Sequence, residues 1–345
     1  MKVSELGEFE LIARIKDELG AQEAAKTAMG RHSRLLLGIG DDAALWQSPS
    51  SAQIATTDTL VAGVHFPEGR VPWADLGWKA LAVNVSDVAA MGGTPEYALV
   101  TLGLPSDFAV EDVLALYRGM ADLGKEYGVV IAGGDLVRAS RPFVTVALWG
   151  RATESQRGEP LFLSRDAAHA GDLIAVTGVL GNAAGGLRLL TERRPAPRQT
   201  VEYLRRAYLR PRPQVDLGRA LVIAGVRCAI DVSDGLGLDL GHICEESQLG
   251  ARVRVDQLPV SDQLKSAFPE EALTMAVGGG EDYELLFTGP ARIVDRVRGR
   301  FATPITVVGE MVEDGERRPR FLDDAGNEMA FERAGWEHFF PESAR

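Results

Sequence analysis

Short apolar runs alternate with helical patterns along the chain. Runs at 35–39, 53–57 and 97–104 are bounded by glycine or polar residues, which predicts strands. Between them, Leu76, Ala80, Val83, Asp87 and Met91 fall on one face of a predicted helix that Gly92-Gly93 ends. The same patterns predict an opening helix at 9–16, a helix at 110–127, and strands at 129–132 and 143–149.

The second half of the chain repeats one order of elements: strand, glycine-rich turn, helix. "DLIAVTGVLGNAAGGLRLL" and "RCAIDVSDGLGLDLGHICEES" both follow it, and "GGGEDYELLFTGP" reads as a turn into a strand. A chain of 345 residues is long for one core. The polar segment 151–160 is the predicted boundary between an N-terminal domain, 1–150, and a C-terminal domain, 151–345, of α+β or α/β class.

Composition narrows the possible partners. The chain has 49 acidic and 37 basic residues and a net charge of −12, which argues against bare nucleic acid or an anionic membrane surface as partner. No apolar run approaches the roughly 18 residues of a membrane helix, and the first residues lack a signal-peptide core. Two cysteines suggest neither a disulfide framework nor a zinc site. We therefore expect a cytoplasmic protein.

Aspartates follow or interrupt the apolar segments at five places. They are Asp41-Asp42, Asp58, Asp87, Asp135, and the pair Asp231 and Asp234. A single aspartate of this kind is usually a helix cap or a turn residue. Aspartates at five such places instead predict a carboxylate cluster, formed where strand ends share one edge of a sheet. Clustered carboxylates raise one another's pKa unless cations compensate them. With oxygen donors and no Cys/His spacing, Mg²⁺ or Mn²⁺ fits better than zinc, with phosphates completing the coordination.

Other phosphate-binding motifs fit less well. Gly38, Gly40 and Ala43 match a dinucleotide-binding turn, but Pro49 falls where its long helix should run. A P-loop, the kinase H-R-D and D-F-G motifs and a calcium-binding D-x-[DN]-x-[DN]-G loop are all absent from the sequence. A nicotinamide-dependent dehydrogenase remains the alternative from another enzyme class. Binding of NADH without binding of ATP would favour it.

Six motifs in sequence order resemble the thiamine-monophosphate kinase family, part of a group of ATP-dependent enzymes that includes aminoimidazole ribonucleotide synthetase and selenophosphate synthetase. They are "GIGDDAAL", "TTDTLVAGVHF", "KALAVNVSDVAAMGG", "IAGGDLVR", "AIDVSDGL" and "GGGEDYELLF". The resemblance implies phosphorylation of thiamine monophosphate to thiamine diphosphate by ATP. It also implies an N-terminal mixed domain whose sheet pairs in a homodimer, and a C-terminal α/β domain. Another synthetase of the group is the alternative within this class.

The resemblance also implies roles for individual residues. Magnesium-binding positions fall on Asp42, Thr56, Thr57, Asp58, Asp87, Asp135, Asp231 and Asp234, with Thr56 where the family commonly has serine. ATP-contacting positions fall on Gly134, Asp135, Arg165 and Ser233, and thiamine-contacting positions on His65, Glu281 and Trp336. Leu136-Val137 departs from the family, which often carries hydroxyl residues there.

Simpler interpretations stay open for three of these residues. His65 would also suit a packed core, Trp336 C-terminal packing and Arg165 a solvated loop. The glycine-rich turn at 178–186 has no assigned role. We expect no catalytic base, because a phosphate monoester with a second pKa near ~6 is already a nucleophile at neutral pH. The residues would then hold two phosphate chains in line and neutralise their charge.

Overall fold

Two six-stranded sheets form the frame of the chain. The computed structural model describes residues 34–37, 44–47, 52–331 and 335–336. The first sheet has the order β1-β2-β3-β6-β4-β5 and is antiparallel except for the parallel pair β4 and β5. Its strands are β1 Arg34–Leu37, β2 Ala44–Gln47, β3 Ala52–Val61, β4 Thr94–Leu104, β5 Val130–Arg138 and β6 Phe143–Arg151.

Two long helices cover one face of the first sheet. They are α1, Trp73–Ala90, and α2, Val110–Tyr127. Gly77 and Gly119 let them approach closely, since a Cβ at either position would lie 1.8 Å from a carbonyl oxygen of the other helix. The opposite face of this sheet, which we call the open face, leaves Tyr97, Leu99 and Val130 substantially exposed.

The second sheet has the order β10-β12-β9-β13-β11-β14. Its strands are β9 Leu173–Thr177, β10 Cys228–Asp231, β11 Gly250–Arg254, β12 Leu285–Gly289, β13 Ile305–Val312 and β14 Pro319–Leu322, and a short hairpin of β7 Thr153–Glu154 and β8 Pro160–Leu161 precedes it. The helices of this half are α3 Asn182–Thr191, α4 Arg198–Leu209, α5 Val215–Ala224, α6 Leu236–Ser247, α7 Asp262–Ala267, α8 Ala272–Gly278 and α9 Ala291–Val297.

Both faces of the second sheet are buried. Ile174 and Val176 belong to the apolar cluster that contains α6, whereas Ala175 between them belongs to the cluster of α5 and α9. Successive side chains of a strand point to opposite faces, so alternate residues of β9 fill two different cores. The predicted α/β class of this half of the chain is thereby confirmed.

Helix α1 joins the two halves. Ser86 Oγ lies 2.5 Å from Asp231 Oδ2 and donates a hydrogen bond to it. Gly218 of α5 packs so closely on α1 that a Cβ there would lie 2.0 Å from the Ala89 carbonyl oxygen. Trp78 Nε1 donates to the Pro211 carbonyl at 2.8 Å. These contacts hold α1 against the C-terminal half, while the helix also packs on β3 and β6 of the first sheet.

The predicted elements are largely confirmed. The helix predicted at 110–127 has those bounds, and the helix after residue 76 begins three residues earlier and ends before Gly92, whose φ is +71°. The predicted helix at 9–16 and the turn with Gly38, Gly40 and Ala43 lie outside the described residues. The domain boundary at 151–160 stays a prediction. Among the described helices, none combines the length and apolarity needed to cross a membrane.

The predicted location of the aspartates at strand ends is wrong for two of them. Asp58 lies inside β3 and Asp135 inside β5, because both strands continue beyond the apolar runs that predicted them. Residues after these aspartates still pair with neighbouring strands: Leu60 pairs with Val144, and Val137 with Gly103. The aspartates therefore do not meet at one edge of one sheet.

Candidate active site

A cleft of about 490 Å³ opens between β3, α1 and four segments of the C-terminal half. Eight of the residues singled out from the sequence line it: Thr57, Asp58, His65, Asp87, Ser233, Asp234, Glu281 and Trp336. The carboxylates come from both halves of the chain. Part of the predicted cluster, namely Asp58, Asp87 and Asp234, thus lies together between the two sheets.

Helix α1 supplies one wall. Lys79, Val83 and Asp87 are spaced four residues apart, which places them on one face of the helix. Asp87 Oδ2 accepts a hydrogen bond from Thr56 Oγ1 at 2.5 Å, so α1 and β3 meet at the cleft. Thr56 and, through Ser86, Asp231 are held beside the residues that line it.

Asp231 is the last residue of β10, and the turn that follows positions Asp234. Asp239, in the first turn of α6, is buried and accepts the backbone N–H groups of Asp234 at 3.1 Å and Gly235 at 3.0 Å. Burial, followed by the negative charges of Asp234 and Asp231, raises the pKa of Asp239 well above its usual range. Sequence reasoning missed Asp239, although an acid in the first turn of a helix is a recognisable capping signal.

Residues 280–284 bring two more side chains into the cleft. Glu281 and Tyr283 have φ of 69° and 52°, in the left-handed region, and their N–H groups donate to the Ser233 and Val232 carbonyls at 2.7 and 2.9 Å. Asp282 between them accepts the N–H groups of Gly181 at 2.5 Å and Ala183 at 3.1 Å, at the start of α3. The glycine-rich turn at 178–186 thus anchors this segment, a role that the sequence left unassigned.

Tyr283 lines the same cleft as the carboxylates of Asp58, Asp234 and Glu281. Burial raises its pKa well above the usual range, and the negative charges of four carboxylates add to the effect: Glu281, Asp58, Asp231 and Asp234. The negative charges that act on this phenol therefore come from β3, from β10 and its turn, and from the 280–284 segment. The motif that contains Tyr283 was recognised in the sequence, but the tyrosine was not selected from it.

The remaining wall is aromatic and polar. His65 Nδ1 accepts the Val61 N–H at 3.0 Å, which assigns the proton of the neutral ring to Nε2. The backbone N–H of Trp336 donates to the Asp234 carbonyl at 2.9 Å, and 39% of the residue's surface is exposed. A ligand that enters the cleft can therefore contact an indole face and an imidazole as well as carboxylates.

Three predicted residues are not part of this cleft. Gly134 and Asp135 lie on β5, the edge strand three positions from β3, which separates them from β3 by about 14 Å at the usual strand spacing. Arg165 lies behind the β10 turn, close to His242. Burial of His242, followed by the positive charge of Arg165, lowers the pKa of His242 to about 4. Asp42 lies outside the described residues.

The donors suit a cation that keeps part of its coordination open. Across the parts of the chain that the structure describes, no three His, Cys, Asp or Glu side chains are grouped closely enough to hold a metal ion by themselves. The cleft offers carboxylate and hydroxyl oxygens, which match the preference of Mg²⁺, an ion that usually keeps waters and binds substrate phosphates. The donor set fits magnesium shared with a phosphate ligand.

The chain matches two sequence models of one family. Residues 40–152 match the N-terminal domain of "AIR synthase related protein", and residues 169–320 match its C-terminal domain. Among curated proteins, the thiamine-monophosphate kinase of Escherichia coli K12 is 40% identical over 341 residues, covering 96% of this chain and 98% of that protein. The thiamine-monophosphate kinase of Bacillus subtilis is 36% identical, covering 89% of this chain and 95% of that protein.

Solved structures agree with these matches. The structure described as "AaThiL complexed with AMPPCP and TMP" has a TM-score of 0.82 and 32% identity, covering 98% of this chain and 99% of that one. The thiamine-monophosphate kinase of Stenotrophomonas maltophilia K279a has a TM-score of 0.72 and 37% identity, covering 88% and 95%. The hydrogenase maturation protein HypE in complex with ATP, at 18% identity and a TM-score of 0.64, shares the fold.

Proposed function

The chain belongs to the family of thiamine-monophosphate kinases, and we propose that it transfers the γ-phosphoryl group of ATP to thiamine monophosphate, giving thiamine diphosphate and ADP. The transfer is direct and in line. The observation that carries the proposal is the cleft itself. It is lined by the carboxylates of Asp58, Asp87, Asp234 and Glu281 and by the partly exposed Trp336, and so suits a ligand that has both phosphate and aromatic rings.

The two ends of the acceptor contact different walls. His65, Glu281 and Trp336 bind the thiamine part, where the indole face suits a cationic aromatic ring. Ser233 lies in the same cleft. We assign it to ATP, together with Gly134, Asp135 and Arg165, which lie outside the cleft of this chain. A guanidinium such as that of Arg165 matches phosphate oxygens geometrically. Thr57 and Asp58 lie between these walls on β3.

The protein contributes position and charge rather than a base. The acceptor phosphate, with a second pKa near ~6, is mostly dianionic at neutral pH and attacks without proton removal. Phosphoryl transfer then depends on alignment and on neutralising the anionic oxygens. Several magnesium ions, when bound, supply that neutralisation, and we assign them to Asp42, Thr56, Thr57, Asp58, Asp87, Asp135, Asp231 and Asp234.

The second part of the proposal is a homodimer formed by the first sheets of two copies. It is suggested by the position of Asp135, which lies away from the cleft of its own chain. Among the described strands, β5 lies at the edge of the first sheet, with Leu136 exposed to 66% and Val130 to 57%, and Tyr97 of the neighbouring β4 is exposed to 55%. An exposed apolar edge strand is a template for pairing with another chain. A second copy would cover this surface and would allow Asp135 to act away from its own cleft.

Incubation with Mg-ATP and a panel of acceptors tests the function. The panel contains thiamine monophosphate, unphosphorylated thiamine and a nucleoside monophosphate, and the products are separated and identified. We expect thiamine diphosphate from thiamine monophosphate and no comparable product from the others. Transfer to a different acceptor, or ADP formation with a ribonucleotide substrate alone, would instead indicate another ATP-dependent enzyme of this group.

A further inference from the structure

A buried lysine lies beneath the wall that binds the acceptor. Lys79 of α1 is 1% exposed, and its Nζ lies 2.8 Å from Oε1 of Glu281, whose side chain is 24% exposed and lines the cleft. The ammonium also lies 3.4 Å from the centroid of the Tyr208 ring. One cation is therefore held between a carboxylate of the cleft and an aromatic face below it.

The same contacts reach His65. Tyr208 is fully buried, and its hydroxyl donates to the His65 carbonyl at 3.1 Å. Lys79, Tyr208, Glu281 and His65 thus form a continuous chain of contacts from α1 and α4 to two residues of the acceptor wall. Within the described residues 52–331 and 335–336, Glu281 forms an ion pair with Lys79 and with no other Lys or Arg.

Stability alone does not account for a lysine at this position. Burial lowers the pKa of Lys79, and the Glu281 carboxylate raises it, so the pair must offset the cost of removing an ammonium from water. A buried ion pair typically contributes no more to stability than apolar side chains of the same volume. What an apolar residue cannot do is fix the orientation of a carboxylate.

We propose that Lys79 is a positioning residue: it fixes the orientation of the Glu281 carboxylate and compensates its charge, so that Glu281 accepts a hydrogen bond from the bound thiamine monophosphate. Tyr208 ties this anchor to His65. Because one carboxylate oxygen already faces an ammonium, the pair carries little net charge. Glu281 then selects ligands by a hydrogen-bond donor at a defined place rather than by attracting any cation. The inference rests on the proposed function, since it names what orients the residue assigned to thiamine monophosphate.

A double-mutant cycle tests it. Lys79→Met removes the ammonium and keeps an unbranched side chain of similar length, and we expect the KM for thiamine monophosphate to rise about 10- to 30-fold, the usual scale of coupling between contacting residues. The KM for ATP should change less than about twofold, because Lys79 contacts the acceptor wall. In a Glu281→Ala background, Lys79→Met should raise the acceptor KM no further, since the residue it positions is gone.

Lys125→Met is the matched control, because this lysine is exposed in the last turn of α2. It should change neither KM. Equal effects of Lys79→Met with and without Glu281, or equal rises in both KM values, would show that the lysine serves only the fold and would overturn the proposal. If the wild-type chain makes no thiamine diphosphate, the proposed function fails by itself, and the cycle is then read with whichever acceptor of the panel is phosphorylated.

A second variant covers the case in which Lys79→Met does not fold. Glu281→Gln, on the partly exposed partner, keeps an oxygen that Lys79 can hold, whereas Glu281→Ala keeps none. We expect the KM for thiamine monophosphate to be at least about threefold lower in Glu281→Gln than in Glu281→Ala, because only the glutamine keeps an oriented oxygen that accepts a hydrogen bond. Identical KM values would mean that the negative charge alone matters, which contradicts the proposal.

Discussion

Asp87 shows how one side chain connects the elements of the cleft. It projects from α1, its Oδ2 accepts a hydrogen bond from Thr56 Oγ1 of β3, and it lines the same cavity as Asp58 and Asp234. Like charges gathered in this way disfavour one another until a cation compensates them. A residue of this kind is expected to matter for phosphate binding more than for folding.

We therefore expect Asp87→Asn to abolish turnover while thermal stability stays unchanged or rises. The asparagine keeps an oxygen for the Thr56 hydroxyl, and the loss of one charge relieves repulsion among the remaining carboxylates. The measurements are product formation at saturating Mg²⁺ and thermal unfolding. Asp122→Asn, at an exposed position of α2, is the control. Substantial activity in Asp87→Asn would refute the shared role of the carboxylates in metal binding.

Trp336 and Arg165 separate the acceptor from the donor. Trp336 lines the cleft and offers an indole face, so Trp336→Ala should lower kcat/KM for thiamine monophosphate roughly ten- to thirtyfold, the value of a cation–π contact, and leave ATP binding nearly unchanged. Arg165→Ala should do the reverse. Steady-state kinetics with each substrate varied in turn distinguish the two. Equal losses for both substrates in both variants would assign these residues to the fold.

At the scale of elements, the residue before β12 is an acid whose protonation affects stability. Glu284 precedes this strand and accepts a hydrogen bond from Thr177 Oγ1 at the end of β9. Burial raises the pKa of Glu284 to about 8 from an ordinary value of 4.5, and the negative charge of Asp282 adds to the rise. Between these two pH values the folded chain binds a proton that the unfolded chain releases, so the free energy of unfolding falls as pH increases.

Glu284→Gln removes this titration. Its free energy of unfolding relative to wild type should therefore increase between pH 5 and pH 8, by an amount on the order of a few kcal/mol. Urea unfolding at pH 5, 6.5 and 8 measures the difference. Glu270→Gln, an exposed acid, should show none. A difference for Glu284→Gln that is constant with pH would contradict the burial of an ionisable carboxyl at this strand end.

Elements with strong local patterns were predictable from the sequence, whereas the positions of these elements relative to one another were harder to predict. The helix 110–127 follows from its 3.6-residue periodicity and the glycine at 128, whose φ is 76°. The location of Asp135 depends on the pairing of β5 with β4 at the edge of the sheet, which no local pattern encodes. Lys79 and Tyr208 were missed because their role arises from contacts between residues 79, 208 and 281, far apart in sequence.

For the whole molecule, the open face of the first sheet predicts association. We expect sedimentation at micromolar concentration to show a dimer of 37.1-kDa chains, because Tyr97, Leu99 and Val130 form an apolar surface on β4 and β5, and β5 is the outermost of the described strands on that side of the sheet. Leu99→Arg should shift the protein toward the monomer. Val110→Arg, on α2 and exposed to 73%, is a control on the opposite side of the sheet. A fully active wild-type monomer would rule out the homodimer.

The central claim is that the cleft between the two sheets transfers a phosphoryl group from ATP directly to the phosphate of thiamine monophosphate. The most direct test follows an equimolar mixture of Mg-ATP and thiamine monophosphate by phosphorus NMR, with the wild-type chain and with Asp87→Asn. The account predicts ADP and thiamine diphosphate in equal amounts with the wild type and neither with the variant. Release of inorganic phosphate while thiamine monophosphate stays unchanged, or equal turnover by the variant, would contradict it.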